Sequence, residues 1–241
     1  MPNSIFLLDE APLFPDARLA QDEPNGLLAV GGDLSAPRLI EAYRHGIFPW
    51  FCEDEPILWW SPDPRCVFML DEVHVSRSLR RELNKAKCIV TINKAFQQVV
   101  QECAAPRNDQ PETWILPDMQ QAYYKLHQLG LAHSIEVWEN TDGKETLVGG
   151  MYGVSIGRFF FGESMFSRRP NASKIALVYL ANYLKKAEFL LLDAQVGNPH
   201  LYRMGARDLS RDEFLQLLEQ EINWKQPLNL WQSKILKEWK S

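Results

Sequence analysis

The stretch from His133 to Gln195 restricts the fold more than any other part of this sequence. His133-Ser-Ile-Glu-Val-Trp-Glu139 alternates with period two, which predicts a half-buried strand. Asn140-Thr-Asp-Gly143 then predicts a reversal into strands near 146–156 and 158–163, an antiparallel meander. An amphipathic helix is predicted over 172–187, and the apolar run Phe189-Leu-Leu-Leu-Asp-Ala-Gln195 reads as a buried strand. Meander, helix, strand is an α+β order.

The remainder divides by texture. Residues 1–90 are rich in Pro, Gly and Trp and are expected to form a small N-terminal domain, with residues 91–241 as the second domain. Ser35 is expected to cap a helix running to about Arg44 and stopped by Gly46. The prolines hold Ile47-Phe-Pro-Trp-Phe51 and Leu58-Trp-Trp-Ser-Pro-Asp-Pro64 to extended or turn conformations. Asn93 reads as the cap of a helix over 94–104, and 118–129 reads as another helix, ending at Gly130. Ser210 and Glu213 make a capping-box pattern for a helix over 211–222. The tail from 223, with Trp224, Trp231 and Trp239, is expected to pack back on the body.

Composition removes several classes. The 241 residues are 46% hydrophobic and 24% charged, ordinary for a globular protein that can bury a substantial core. There is no run of about 18 apolar residues for a membrane span. Met1 to Arg18 lacks a basic n-region and has only a short apolar stretch, so no signal peptide is read and the cytoplasm is expected. Cys52, Cys66, Cys88 and Cys103 form no C-x-x-C pair, and the five histidines no H-x-x-x-H pair, so no metal site is expected. A net charge of −5 argues weakly against a nucleic-acid partner. Local charge argues the other way. Between Ser76 and Lys87 lie Arg77, Arg80, Arg81, Lys85 and Lys87 against Glu82 alone, and helical spacing puts the three arginines on one face. That face is either a phosphate-neutralising surface or an ordinary solvated one.

Three features carry candidate chemistry. Gly162-Glu-Ser-Met-Phe-Ser167 holds a carboxylate at a strand end. Asp193-Ala-Gln195 follows three leucines, and an acid there is costly to bury without a partner; the bland alternative is an Asp capping a turn. Period two would put Asp193 and Gln195 on one face. Finally Trp50, Trp59, Trp60 and Trp114, with Phe48 and Phe51, form either core or an aromatic wall for an apolar group or a nucleobase. Absences narrow the field further. There is no G-x-x-x-x-G-K-[ST], no G-x-G-x-x-G and no G-x-S-x-G. Nor does a glycine-rich pyrophosphate loop precede the 172–187 helix, where a coenzyme-A acetyltransferase would need one.

Glu23-Pro-Asn-Gly-Leu-Leu-Ala-Val-Gly-Gly-Asp-Leu-Ser35, Gly46-Ile-Phe-Pro-Trp-Phe51 and Trp59-Trp-Ser-Pro-Asp-Pro-Arg65 resemble the N-terminal signature of leucyl/phenylalanyl-tRNA–protein transferases. His133-Ser-Ile-Glu-Val-Trp138, Gly149-Gly-Met-Tyr-Gly153, Gly162-Glu-Ser-Met-Phe-Ser167, Asn171-Ala-Ser-Lys174 and Asp193-Ala-Gln195 resemble its C-terminal signature, in the same order. The resemblance runs from about residue 14 to 222. It implies a small N-terminal domain followed by a GNAT-like acyltransferase domain. It implies transfer of Leu or Phe (Met less well) from Leu-tRNA or Phe-tRNA to proteins with N-terminal Arg or Lys, which enter the N-end rule degradation route. No cofactor is implied, and a monomer is expected. The implied aminoacyl pocket is Met151, Phe160, Leu177, Leu180 and Leu192, with Trp50 and Trp114 near the terminal adenosine. Leu180 and Leu192 stand where some relatives carry Phe and Ile, which alters pocket volume. Arg77, Arg80, Arg81, Lys85 and Lys87 are then the tRNA-binding face.

The polar active-site group implied is Glu163, Asp193 and Gln195. Gln195 would hydrogen-bond the attacking amine or the developing oxyanion. Asp193 would orient Gln195 or accept the proton as a general base, and Glu163 would orient the adenosine or the amine. Two rival readings are a peptidoglycan-bridge aminoacyltransferase and a non-catalytic RNA-binding module whose tryptophans stack bases.

Overall fold

A computed structural model describes residues 4–85, 87–106, 113–236 and 239. Residues 237, 238, 240 and 241 of the tail lie outside the described residues. The first sheet is built from β1 (Phe6–Leu8), β2 (Leu27–Gly31), β3 (Phe48–Pro49) and β4 (Leu58–Trp60), in the order β1-β2-β4-β3. Helix α1 (Ala36–Arg44) joins β2 to β3. It ends where Gly46 takes φ +72°, as a C-terminal glycine stop requires. Ser35 holds the N-cap position, but its side chain caps nothing.

The second sheet has eight strands among the described residues: β5 (Arg65–Met69), β6 (Cys88–Ile92), β7 (Ala132–Thr141), β8 (Lys144–Ile156), β9 (Phe159–Ser167), β10 (Leu191–Gln195), β11 (Arg207–Leu209) and β12 (Lys234–Leu236). Their order is β11-β5-β10-β9-β8-β7-β6-β12. The other helices are α2 (Arg77–Asn84), α3 (Phe96–Ala104), α4 (Pro117–Gln128), α5 (Ala172–Lys186), α6 (Pro199–Arg203) and α7 (Arg211–Glu221). The chain is thus a mixed α+β protein. Residues 65–90, grouped by composition with the small N-terminal part, supply β5 and the first three residues of β6 of the larger sheet.

Both faces of this sheet are covered. Along β9, Phe159 and Phe161 enter a core shared with α3, α4 and the first sheet, while Phe160 enters a second core with α5. Strand β7 is therefore buried on both faces and not half-buried as its alternation predicted. Its polar positions, Ser134 and Glu136, point toward the start of α3 and not toward water. Their role corrects a second expectation. Asn93 has φ +55°, accepts from the Ser134 N–H and donates to the Trp231 carbonyl, so it does not cap α3. The buried Glu136 carboxylate meets the Lys94 and Ala95 N–H groups instead, each at 3.3 Å, and accepts from the Thr91 and Ser134 hydroxyls at 2.5 Å.

The capping box at Ser210 and Glu213 forms as its spacing predicted. The tail also packs on the body. Trp231 stacks on His133 at 4.1 Å, and β12 pairs with β6.

Candidate active site

Strands β9 and β10 run parallel and pair from Leu191–Phe159 to Asp193–Phe161, with α5 as the crossover between them. Beyond that point they part. A cavity of about 470 Å³ opens in the gap, lined by Gly162, Glu163, Ser164 and Met165 on one side and Ala194 and Gln195 on the other. Each of the parting strands carries a bulge there. On β9, Gly162 and Ser164 pair with Gly153 and Tyr152, which leaves Glu163 as the extra residue. On β10, Asp193 and Gln195 pair with Val67 and Cys66, which leaves Ala194 extra. Gln195 also takes φ +61°, a left-handed conformation that costs a side-chain residue of order 1–3 kcal/mol and clusters at functional sites. Strict alternation would have turned Gln195 to the same side as Asp193. The bulge and the left-handed residue turn it into the cavity, so the two do not share a face as period two implied.

Asp193 lies behind that wall. It is fully buried, and both its oxygens are held by Arg65: Nε to Oδ1 at 2.8 Å and Nη2 to Oδ2 at 2.7 Å. Oδ1 also accepts the Gln195 N–H at 2.9 Å. The Arg65 guanidinium lies over the rings of Phe48 and Phe214 and donates to the Gly46 carbonyl, so the glycine that stops α1 also anchors the pair. A bidentate guanidinium fixes the planes of both groups, which a lysine could not do. Asp193 is held as a scaffold, with no carboxylate oxygen on the cavity wall.

Glu163 does reach the cavity. Its Oε1 accepts from the Tyr43 hydroxyl at 2.8 Å and from Gln195 Nε2 at 3.0 Å, and its Oε2 accepts from the Tyr123 hydroxyl at 2.6 Å. Burial pushes its carboxyl up to about 7, and nearby Asp193 adds to the rise; the Tyr123, Tyr43 and Gln195 donors act in the opposite sense. Burial likewise pushes the Tyr43 and Tyr123 hydroxyls well above the usual phenol range.

Of the apolar residues expected at the pocket, Met151, Leu177 and Leu192 line the cavity, joined by Phe68 of β5. Phe160 and Leu180 do not line it. Both are completely buried in the same apolar cluster as Met151, Leu177 and Leu192, and the Phe160 ring lies 5.6 Å from that of Trp231. Trp50 and Trp114 stand on the cavity wall, Trp50 being 45% exposed, whereas Trp59 is core. Arg77, Arg80, Arg81, Lys85 and Lys87 are all exposed on or beside α2, and none lines the cavity. Nothing local in the sequence marks Arg65, Tyr43 or Tyr123 as site residues. Tyr43 and Tyr123 sit on helix faces among Leu39, Ala42, Met119 and Leu126, where they read as core.

Comparison with known proteins bears on this arrangement directly. The family described as Leucyl/phenylalanyl-tRNA protein transferase matches residues 67–219, and its N-terminal domain matches residues 32–63. A leucyl/phenylalanyl-tRNA–protein transferase of Hahella chejuensis is 54% identical over 215 residues, 89% of this chain and 90% of that one. That of Idiomarina loihiensis is 52% identical over 233 residues, 96% of this chain and 97% of the other. A third, from Shewanella baltica, is 53% identical over 223 residues and 92% of each chain. On these grounds the chain belongs to the leucyl/phenylalanyl-tRNA–protein transferase family.

Proposed function

We propose that this chain moves Leu or Phe (Met less well) from the 3′ ester of Leu-tRNA or Phe-tRNA onto the α-amine of proteins that begin with Arg or Lys, marking them for the N-end rule route. The observation that carries this reading is one cavity with two unlike walls. Met151, Leu177, Leu192 and Phe68 can take an apolar side chain, and Gln195 and Glu163 face it with hydrogen-bonding groups. Trp50 and Trp114 offer stacking surface to the terminal adenosine at the same cavity. An apolar pocket discriminates Leu from Phe weakly, because a methylene is worth about 1–3 kcal/mol, but it rejects charged side chains. Phe160 and Leu180 shape this pocket by setting where the lining residues stand.

The ester is already activated, so the reaction is aminolysis. The amine nitrogen bonds to the ester carbonyl carbon, the bond to the ribose 3′ oxygen breaks, and a proton passes from nitrogen to that oxygen. The ribose 2′ hydroxyl lies next to both and can relay it. An α-amine with pKa of about 7.7–8.0 is roughly one-tenth neutral near pH 7, so positioning contributes more than strong base catalysis. Gln195 donates through Nε2 to Glu163, which leaves its amide oxygen to accept from the attacking amine. Asp193 is a positioning residue: it accepts the Gln195 backbone N–H and is itself fixed by Arg65. Its enclosure speaks against a role as general base.

The parallel pair that parts at the cavity supports a GNAT-like reading of the larger unit. Among the described residues no helix is long and apolar enough to cross a membrane. From membership of the family we infer that the activity belongs to a cytoplasmic monomer. The test is transfer of labelled Leu from Leu-tRNA to a protein beginning with Arg. Label must enter the protein fraction, and must fail to enter when the N-terminus is acidic; binding of tRNA without transfer would sink the reading. Asp193→Asn separates the roles of Asp193. A near-normal single-turnover rate excludes a base and is compatible with positioning.

A further inference from the structure

We propose that Glu163 works as a neutral carboxylic acid, its proton closing a hydrogen-bonded ring with the hydroxyls of Tyr43 and Tyr123, and that both tyrosines are positioning residues for Gln195. The inference rests on the transferase reading of the cavity for its meaning, and on a count of protons for its substance.

Three oxygen contacts form the ring: Tyr43 Oη to Glu163 Oε1 at 2.8 Å, Tyr123 Oη to Glu163 Oε2 at 2.6 Å, and Tyr43 Oη to Tyr123 Oη at 2.7 Å. All lie in the range of O–H···O hydrogen bonds, about 2.5–3.0 Å. Each needs one proton. The two phenols supply two, and if both point at a bare carboxylate the two phenolic oxygens face each other lone pair to lone pair. A proton on Glu163 completes the set. Gln195 Nε2 donates to Oε1 at 3.0 Å, which makes Oε1 the carbonyl oxygen and puts the proton on Oε2; in the neutral acid Oε2–H then donates to Tyr123 Oη, the reverse of the direction in the ionised form, while Tyr123 donates to Tyr43 and Tyr43 to Oε1.

The surroundings favour the neutral acid. Glu163 is faced by Tyr43 from α1, Tyr123 from α4, Tyr152 from β8 and Asp193 from β10, and the positive charge nearest Asp193, that of Arg65 on β5, is already paired with it. His200 of α6 lines the same cavity. Tyr152 is completely buried, and its hydroxyl has no partner among the described residues. No cation touches Glu163 among these groups, and burial raises its carboxyl accordingly.

A neutral Glu163 suits the reaction. A bare carboxylate beside Gln195 would hold the incoming amine as ammonium and oppose the developing oxyanion; a protonated one does neither, yet still fixes the Gln195 amide.

The experiment pairs infrared titration with kinetics. In the whole protein a C=O stretch of a protonated carboxylic acid should be present near about pH 5.5, above the ordinary glutamate range, and fade toward about pH 9. Glu163→Gln should lack that titrating band. Its amide supplies an N–H in place of the acid O–H but cannot ionise, so whatever its rate near about pH 6, single-turnover transfer in this variant should lose the decline that wild type shows as pH rises toward about 9. Tyr43→Phe and Tyr123→Phe each remove a donor to the ionised form and should move the band's titration to higher pH. Absence of a titrating band assignable to Glu163, or a Glu163→Gln rate that keeps the wild-type decline toward about pH 9, overturns the proposal. Failure of the transferase reading is distinguishable, since the band would then titrate in a protein that transfers nothing.

Discussion

At the scale of single residues, Arg65 shows how a buried charge can govern a site it never enters. Asp193→Ala leaves its guanidinium buried without a counter-charge, and we expect a loss of about 3–5 kcal/mol in denaturant unfolding. Replacing the pair together by Met and Leu should restore much of that stability, yet leave the Gln195 N–H without its acceptor, so that transfer stays low. Recovery of both fold and rate in the double variant would reduce Asp193 to a space filler. Glu163 gives a prediction of a different kind. Its folded carboxyl titrates at about 7, above the value of about 4.3 for a free glutamate. The native state therefore binds this proton more tightly than the unfolded chain does. The stabilisation is complete below the unfolded value and is lost as pH rises through about 7. Glu163→Gln cannot ionise, so its stability relative to wild type should rise by up to about 3 kcal/mol between about pH 4 and about pH 9 in urea melts. A difference that is flat with pH would refute this. Neither group was fully legible beforehand. The acids stood out as charges in apolar strands, but Arg65 and Asp193 are 128 residues apart, and nothing local in either segment announces the pairing.

At the scale of elements, what could be read and what could not divide by the range of the forces involved. The hairpin at Asp142-Gly143, the helix over Ala172–Lys186 and the capping box at Ser210 depend on neighbours within a few residues, and their spacing predicted them. The N-terminus of α3 depends on Glu136, some 40 residues further along, so Asn93 looked like the cap and is not. The bulges at Glu163 and Ala194 were equally invisible, because a bulge belongs to a pair of strands and not to one. Glycine marks one more such dependence. A Cβ on Gly149 of β8 would fall 2.4 Å from the Cβ of Ala172, so α5 packs on β8 only through this bare backbone. Gly149→Ala should lift the start of α5 at a cost of about 1–3 kcal/mol, visible as a lower urea midpoint. Because Leu177 rides on α5 into the cavity wall, KM for Leu-tRNA should rise more than kcat falls.

For the whole molecule, a net charge of −5 does not prevent tRNA binding if charge is distributed unevenly. The exposed Arg77, Arg80, Arg81, Lys85 and Lys87 make the tRNA-binding face we propose. Each alanine there that removes a phosphate contact should weaken binding and lower the slope of log affinity against log salt by about 0.9 on a duplex region. Filter binding over a salt series measures it, and unchanged slopes would mark these residues as a solvated face only. The ends of the larger sheet matter at the same scale. Its two outermost strands, β11 and β12, are three residues long, and Arg207, Asp208 and Lys234 on them are exposed. Short, charged borders of this kind give a second chain little to pair with. The segment that supplies β12 also covers the five-residue β6, so removing residues 224–241 should uncover an open backbone ladder and make the protein adhere to its own copies. Light scattering would register that as mass growing with time. The tryptophan-bearing tail, on this view, protects the protein from its own copies.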